Sequence, residues 1–499
     1  MARGTKAPPC GHYRKEETMR IHRWRVWLSA LSALSIVLIV PPLHAVDLHS
    51  KANQADYLVI SPAPYLADAE RLAAFRREHD GITALVVHLD SILTQFTIHS
   101  TPDSAIKDFL EYALTEWAPP RASYVLLVGN VNWMPTHVEP EIPGFVYLGY
   151  ADTVCIDHWF VEGPQDQWGT GRMRCALGRL PGWNSTEIAA MVDKTIGYEG
   201  AAPAPWWSTC LGLADQNDLD GTIFVDDLRL FQNQVAPVWT DTISVVMDSL
   251  SARYRDSLSF RHLWDEGAAL VVYSGHANAY NWSARHYFTA VSADSLRNGP
   301  RLPLVLSVGC AMRFDAPGPS MAVRLLRNPL GGAVACIVSQ GIIYSSISAE
   351  MVGGTLQRLR TGLTASAGVA FQQTKDSLSS LLCRRFTYLG DPAIRLKRPR
   401  AIASHPPELA APDGFRLEQN FPNPFNPSTI IRYALPRRAR VTLSVFSVLG
   451  QQVSLLQHGD QDAGSHEVRF DARDLPSGVY FYRLSAGSFT ETKRLLLIR

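Results

Sequence analysis

The sequence has almost no charge imbalance, with 47 Lys and Arg against 46 Asp and Glu in 499 residues. Without a net basic field, or a basic patch with interleaved aromatics, nucleic acid is excluded as an expected partner. Long hydrophobic runs are missing too. The apolar stretch from Trp27 to Val40 falls short of the roughly 20 residues that a spanning helix needs. It follows Arg20-Ile21-His22-Arg23-Trp24-Arg25 and ends in Pro41-Pro42-Leu43-His44-Ala45, the layout of a secretory signal peptide with Ala45 before the cut. Residues 1–45 are therefore read as a signal peptide with an N-terminal extension, Met19 being a candidate start, and no stable membrane span is expected after its removal.

Cysteine is scarce, with 7 in the chain, and none has the spacing of a zinc module. Cys10 precedes the cleavage site. Export permits disulfides, and Cys155 with Cys175, flanking one loop-rich segment, is the expected pair, whereas Cys336 reads as a buried strand residue. Composition is otherwise ordinary for folded protein, 46% hydrophobic and 19% charged.

Two apolar runs end in reactive side chains. Ala268-Ala269-Leu270-Val271-Val272-Tyr273-Ser274-Gly275 leads to His276, and Leu304-Val305-Leu306-Ser307-Val308-Gly309 leads to Cys310. Continuous Leu/Val runs bounded by Gly or Pro read as strands buried on both faces of a parallel sheet, which binds ligands at its carboxyl ends. His276 and Cys310 are then expected side by side. A thiol is a weak nucleophile until an imidazole takes its proton or stabilises the thiolate, and the small residues after each of the two offer backbone N–H groups to a substrate carbonyl. The plainer reading is a buried thiol and a satisfied core histidine.

Strand-like and helix-like runs alternate from Tyr57 onward. Tyr57–Ile60, Thr83–Leu89 and Tyr124–Gly129 read as strands, Asp68–His79 and Ser104–Trp117 as helices, the latter ended by Pro119-Pro120. Leu211–Asp215, Ala268–Ser274, Leu304–Val308 and Ala333–Val338 supply a second such sheet. The expected architecture is a three-layer α/β/α region of two subdomains, residues 52–202 and 203–398, divided near Pro203-Ala204-Pro205. In Asp215-Gln216-Asn217-Asp218-Leu219-Asp220-Gly221, the residues Asp215, Asn217 and Asp220 are weak calcium candidates. Leu219 occupies a position where an EF-hand loop needs a ligand, so a solvated turn is the alternative.

These residues resemble the gingipain-type cysteine peptidases, which share a caspase-like fold. Tyr273-Ser274-Gly275-His276 with Trp282 is similar to the family's histidine motif, and Ser307-Val308-Gly309-Cys310 with Phe314-Asp315 to its cysteine motif. Tyr124–Gly129, Leu177–Pro181, Gly331–Ala335 and Leu389–Ala393 extend the likeness over Ala55 to Leu396. The resemblance implies a Cys310 nucleophile, His276 as base or ion-pair partner, oxyanion donors at the Ala277 and Cys310 backbone, peptide substrates and no required cofactor. With Cys310 free, Cys155, Cys175, Cys210, Cys336 and Cys383 are an odd set that cannot pair completely.

The resemblance also implies an acid that orients the histidine, expected between Tyr150 and Leu180, where Asp152, Asp157 and Glu162 are the candidates. Ala277 and Met312-Arg313 depart from the usual glycine-containing pairs. Arg313 can lower the thiol pKa or plug the pocket, and Asp315 can favour a basic substrate side chain. The second reading is accordingly a degenerate scaffold that binds at the cell surface, and a transpeptidase using the same acyl-enzyme is a third.

After a proline-bearing linker, residues 399–414, the pattern turns to alternating strands at Val441–Phe446, Glu467–Phe470 and Val479–Leu484, an Ig-like β-sandwich over 415–499. Asn420-Phe421-Pro422-Asn423-Pro424-Phe425-Asn426-Pro427, Ser477-Gly478-Val479-Tyr480 and the terminal Thr492–Leu497 closely resemble the sorting domain of type IX secretion cargo. That resemblance implies the type IX machinery as partner, with passage through periplasm and outer membrane to the surface or medium.

Overall fold

The structure is a computed structural model, which describes residues 46–96, 101–140, 153–165, 171–216, 224–247, 251, 253–361, 366–378, 380–399, 414–417, 419, 420, 423, 425, 427–461, 464–473 and 475–497. The signal peptide and most of the linker lie outside them. Among the described residues no helix is long and apolar enough to cross a membrane.

Ten strands form one sheet: β1 (Tyr57–Ser61), β2 (Ala84–His88), β3 (Tyr124–Val128), β4 (Ala176–Leu180), β5 (Thr209–Ala214), β6 (Asp241–Val246), β7 (Leu270–Ser274), β8 (Leu304–Val308), β9 (Ala335–Ser339) and β10 (Phe386–Leu389). Their order is β6-β5-β7-β8-β9-β10-β4-β3-β1-β2. The expected second sheet is thus not separate. β10, short and bordered by Arg384-Arg385, runs antiparallel to β9 and parallel to β4, joining the two halves through the single pair Leu389 and Arg179. A Cβ at Gly178 would lie 2.3 Å from Gly390 O, so this seam closes only over glycine.

The strands between the edge strands β2 and β6 are buried on both faces because alternate residues feed different cores. Leu211, Leu213, Val271, Tyr273 and Val305 face one core together with Tyr57, Val59, Leu126 and Val128, so this layer runs across both halves. On the opposite face the core is divided, with Leu270, Val272, Leu304 and Leu306 in one part and Leu58, Ile60, Val125 and Leu127 in the other. Arg76, fully buried on the helix Leu66–Asp80, ties the halves further by bonding Asp391 at 2.8 and 3.0 Å, Asp80 at 2.8 Å and Glu199 at 3.3 Å.

Lys375 is a second buried cation. Its Nζ donates to Phe386 O at 2.7 Å and sits 5.1 Å from the Phe371 ring centroid. Burial, partly countered by Cys383, pushes its ammonium down to about 7. Below that pH folded and unfolded chains both hold the proton, and the folded state bears the full desolvation cost. Between about 7 and the ordinary lysine range the unfolded chain binds the extra proton, so stability rises with pH. The urea midpoint, read by Trp fluorescence, is expected to rise from pH 7 to 9, and Lys375→Met to flatten part of that slope. An unchanged slope in the variant would show that Lys375 keeps an ordinary pKa.

The C-terminal region has two antiparallel sheets. One holds Arg416–Leu417, Ser428–Leu435 and Gly464–Asp471; the other holds Gln452–Gln461, Ala439–Ser447, Gly478–Ala486 and Phe489–Leu497. Ile431, Tyr433, Leu443, Tyr482, Leu484 and Leu495 share its core. All six described cysteines are free, so the expected Cys155–Cys175 bridge is not made: both thiols are buried, but Cys155 belongs to the core that runs across both halves and Cys175 to the separate core on the opposite face.

Candidate active site

β7 and β8 are parallel neighbours in the register Ser274 to Val308, and Gly275 N–H donates to Val308 O at 3.1 Å. Two residues further along each strand stand His276 and Cys310, so the sheet itself brings the expected pair to one rim. The approach is tight at the glycines before them. A Cβ on Gly309 would come within 2.6 Å of the Ala277 Cβ, and one on Gly275 within 2.5 Å of the Asp215 Cβ. The Ala277 methyl is therefore spent against Gly309.

The strand ends turn sharply. Ala311 takes a positive φ of 50°, a strained choice for alanine, while its N–H reaches Gly341 O at 2.9 Å and the Met312 N–H reaches Ser339 O at 2.8 Å. Cys310, partly exposed at this turn, directs Sγ to Ile343 O at 3.4 Å. On the other strand, Ser283 N–H donates to His276 O at 2.7 Å and Asn278 N–H to Asn281 O at 3.0 Å. Those two bonds flank Ala277 in its bridge with Trp282 and leave the Ala277 N–H outside the ladder. Trp282 stacks on Tyr273 at 4.4 Å, and the Phe224 ring meets the His276 imidazole edge-on at 5.2 Å.

Sequence reasoning missed a third strand end. β5 pairs with β7 in the register Ala214 to Ser274, and Asp215 N–H continues it to Ser274 O at 2.8 Å. Asp215 is buried, and its Oδ1 accepts from Ser283 Oγ at 3.1 Å and from Gln216 N–H at 2.9 Å. Ser283 N–H in turn donates to the Tyr273 hydroxyl at 2.9 Å, which donates to His276 O at 2.5 Å. Burial, then the Asp215 carboxylate, raises the Tyr273 phenol well above its usual range and keeps it a donor. An acid thus stands beside the histidine strand and is linked to the histidine's own carbonyl. The signal was present in the sequence: Asp215 follows the run Leu211–Ala214 as His276 and Cys310 follow theirs.

The other candidates lie elsewhere. Asp152, Asn217 and Asp220 fall outside the described residues. Both carboxylate oxygens of Asp157 accept from Arg179 at 2.7 Å, with Thr136 Oγ1 at 2.9 Å as a further donor. Glu162 accepts from the Gly171 N–H and from Arg384, each at 2.8 Å. Among the described residues no cluster of three His, Cys, Asp or Glu can hold a metal. Arg313 Nε donates to Asp315 Oδ1 at 2.9 Å, Nη2 to Asp315 Oδ2, and Nη1 to Thr153 O at 2.7 Å. Asp315 is covered by the same contact.

Comparison with known proteins agrees with this geometry. The family model for peptidase family C25 matches residues 50–397, and that for the secretion system C-terminal sorting domain matches residues 419–498. No curated protein matches the chain. Among solved structures, the complex of Porphyromonas gingivalis RgpB pro- and mature domains superposes with a TM-score of 0.58 at 16% identity, covering 89% of this chain and 100% of that one. The Arg-specific cysteine proteinase gingipain R gives 0.56 at 16% identity, covering 90% and 99%. At such identity the likeness speaks for the fold, a gingipain-type α/β architecture with a mostly parallel central sheet. The sorting domain indicates secretion to the cell surface or extracellular space. With a family model that matches residues 50–397, most of its length, the chain belongs to peptidase family C25.

Proposed function

We propose that the protein is a secreted cysteine endopeptidase, exported through the type IX machinery, that hydrolyses peptide bonds through an acyl-enzyme. The observation that carries this reading is the Ser274–Val308 register, which sets His276 and Cys310 on neighbouring strand ends. The Cys310 sulfur adds to the peptide carbonyl carbon, and the Ala277 and Cys310 backbone N–H groups receive the developing oxyanion. His276 takes the thiol proton and returns it to the departing amine. Water then adds to the thioester, His276 accepting its proton, and releases the acid and the free thiol. The reaction requires no cofactor.

Asp215 is the acid of this site, acting as a positioning residue through Ser283 and Tyr273 on the His276 turn. Asp215→Asn is expected to lower kcat about 10- to 100-fold with KM nearly unchanged, below the roughly 10⁴-fold seen where an acid bonds the imidazole directly. An equal loss in an Asp157→Asn variant, or none at Asp215, would move the role elsewhere. The reading itself is tested by incubating the purified secreted form with a peptide library and reading products by mass spectrometry. Absence of cleavage by the mature protein would favour the surface-binding alternative.

A further inference from the structure

The loop after the nucleophile is fastened to the first half of the enzyme at three points. Arg313 Nη1 donates to Thr153 O at 2.7 Å. Thr153 opens the strand Thr153–Cys155, which pairs antiparallel with Val138–Pro140. Asp315, held by the Arg313 guanidinium, lies against the Cys155 thiol, and burial followed by that carboxylate drives the thiol well above its usual range. The face of the Arg179 guanidinium covers the Phe314 ring at 5.0 Å, while its N–H groups hold Gly129 O, Met134 O, Pro135 O and Asp157. Arg313 and Asp315 are themselves mostly buried, with side chains 17% and 11% exposed.

Cys310 is three residues before Arg313, and the intervening Ala311 and Met312 are pinned to the end of β9. The loop is therefore rigid on one side and latched on the other. The latch is a charged donor on a carbonyl, oriented by a two-pronged pair with Asp315, a geometry specific to the arginine fork. A lysine offers a point charge that can reach one of the two partners at a time.

We infer that Arg313 is a positioning residue for substrate: it docks the Thr153–Cys155 strand pair against the nucleophile loop, so that this pair forms one side of the peptide-binding cleft. The inference rests on the peptidase reading above. It assigns Arg313 to substrate binding and away from the chemical step, and it withdraws Asp315 from selection of a basic side chain.

The test uses the full secreted chain with Arg313→Ala and Arg313→Lys. For Arg313→Ala, KM for a cleaved library peptide should rise about tenfold, with kcat within about twofold and the rate of Cys310 alkylation by iodoacetamide unchanged. Arg313→Lys should recover part of the KM. Amide exchange at Val154 and Cys155 should quicken in Arg313→Ala and return toward wild type in Arg313→Lys. An unchanged KM, or a fall in kcat with KM constant, would overturn the assignment. If the wild-type protein cleaves nothing, the peptidase reading fails by itself, and the exchange rates still decide the latch: no difference between wild type and Arg313→Ala would remove it.

Discussion

Cys310→Ala is expected to abolish peptide cleavage, by on the order of 10⁴-fold or more in kcat. Loss of the nucleophile removes the covalent route entirely, and what remains is whatever the oxyanion donors and binding achieve for direct attack by water. The same variant should leave the fold in place. Cys310 is only partly buried, and its side-chain hydrogen bond to Ile343 O is long, at 3.4 Å. A thermal midpoint within about 2 °C of wild type therefore separates lost chemistry from lost structure. Alkylation sharpens the experiment, because five of the six described cysteines are buried and Cys310 is the exception. A single fast-reacting thiol that vanishes in Cys310→Ala would identify the nucleophile. Full cleavage by the variant would mean that another residue does the work, and an inert thiol in wild type would return the protein to the class of binding scaffolds. His276→Ala should match the loss closely, since residues acting as one unit are not additive.

The parts of this site legible in sequence are those written as uninterrupted apolar runs. β7 and β8 could be read because burial on both faces demands Leu and Val throughout, and because each run stops at glycine immediately before a reactive side chain. Asp215 escaped as a partner because its neighbours Asn217, Asp218 and Asp220 suggested a cation loop, and nothing local shows that β5 lies beside β7. The edge strand β6 hides in Asp241-Thr242-Ile243-Ser244-Val245-Val246, whose first two residues are exposed and polar. β10 has four residues, too few for a periodicity, yet it joins the two halves into one sheet. Asp157 was a reasonable acid by position. Only the fold reveals that an arginine from β4 already holds both of its oxygens.

That arginine is the site of the second large effect. Arg179 is wholly buried and places every guanidinium donor: Nε and Nη2 on Asp157 at 2.7 Å, Nη1 on Gly129 O and Met134 O at 2.9 and 3.0 Å, and Nη2 also on Pro135 O at 3.1 Å. Arg179→Met keeps the apolar stem but strands a buried carboxylate with Thr136 as its remaining side-chain partner, along with three carbonyls. Breaking a buried pair from one side is expected to cost about 3 to 5 kcal/mol. All 12 tryptophans precede the β-sandwich, so urea unfolding followed by Trp fluorescence reads the α/β region alone. Arg179→Lys should recover little, because an ammonium cannot meet five acceptors laid out for a planar fork. Asp157→Leu alone is costly for the converse reason, a buried cation facing only carbonyls. The double variant Arg179→Met/Asp157→Leu should therefore be less destabilised than the sum of the singles by more than about 1 kcal/mol, since it buries no unpaired charge. Additive losses would show that Arg179 acts through its three backbone carbonyls rather than through Asp157. The loop Gly129–Pro135 would then owe its shape to arginine as a backbone clamp, with the carboxylate incidental.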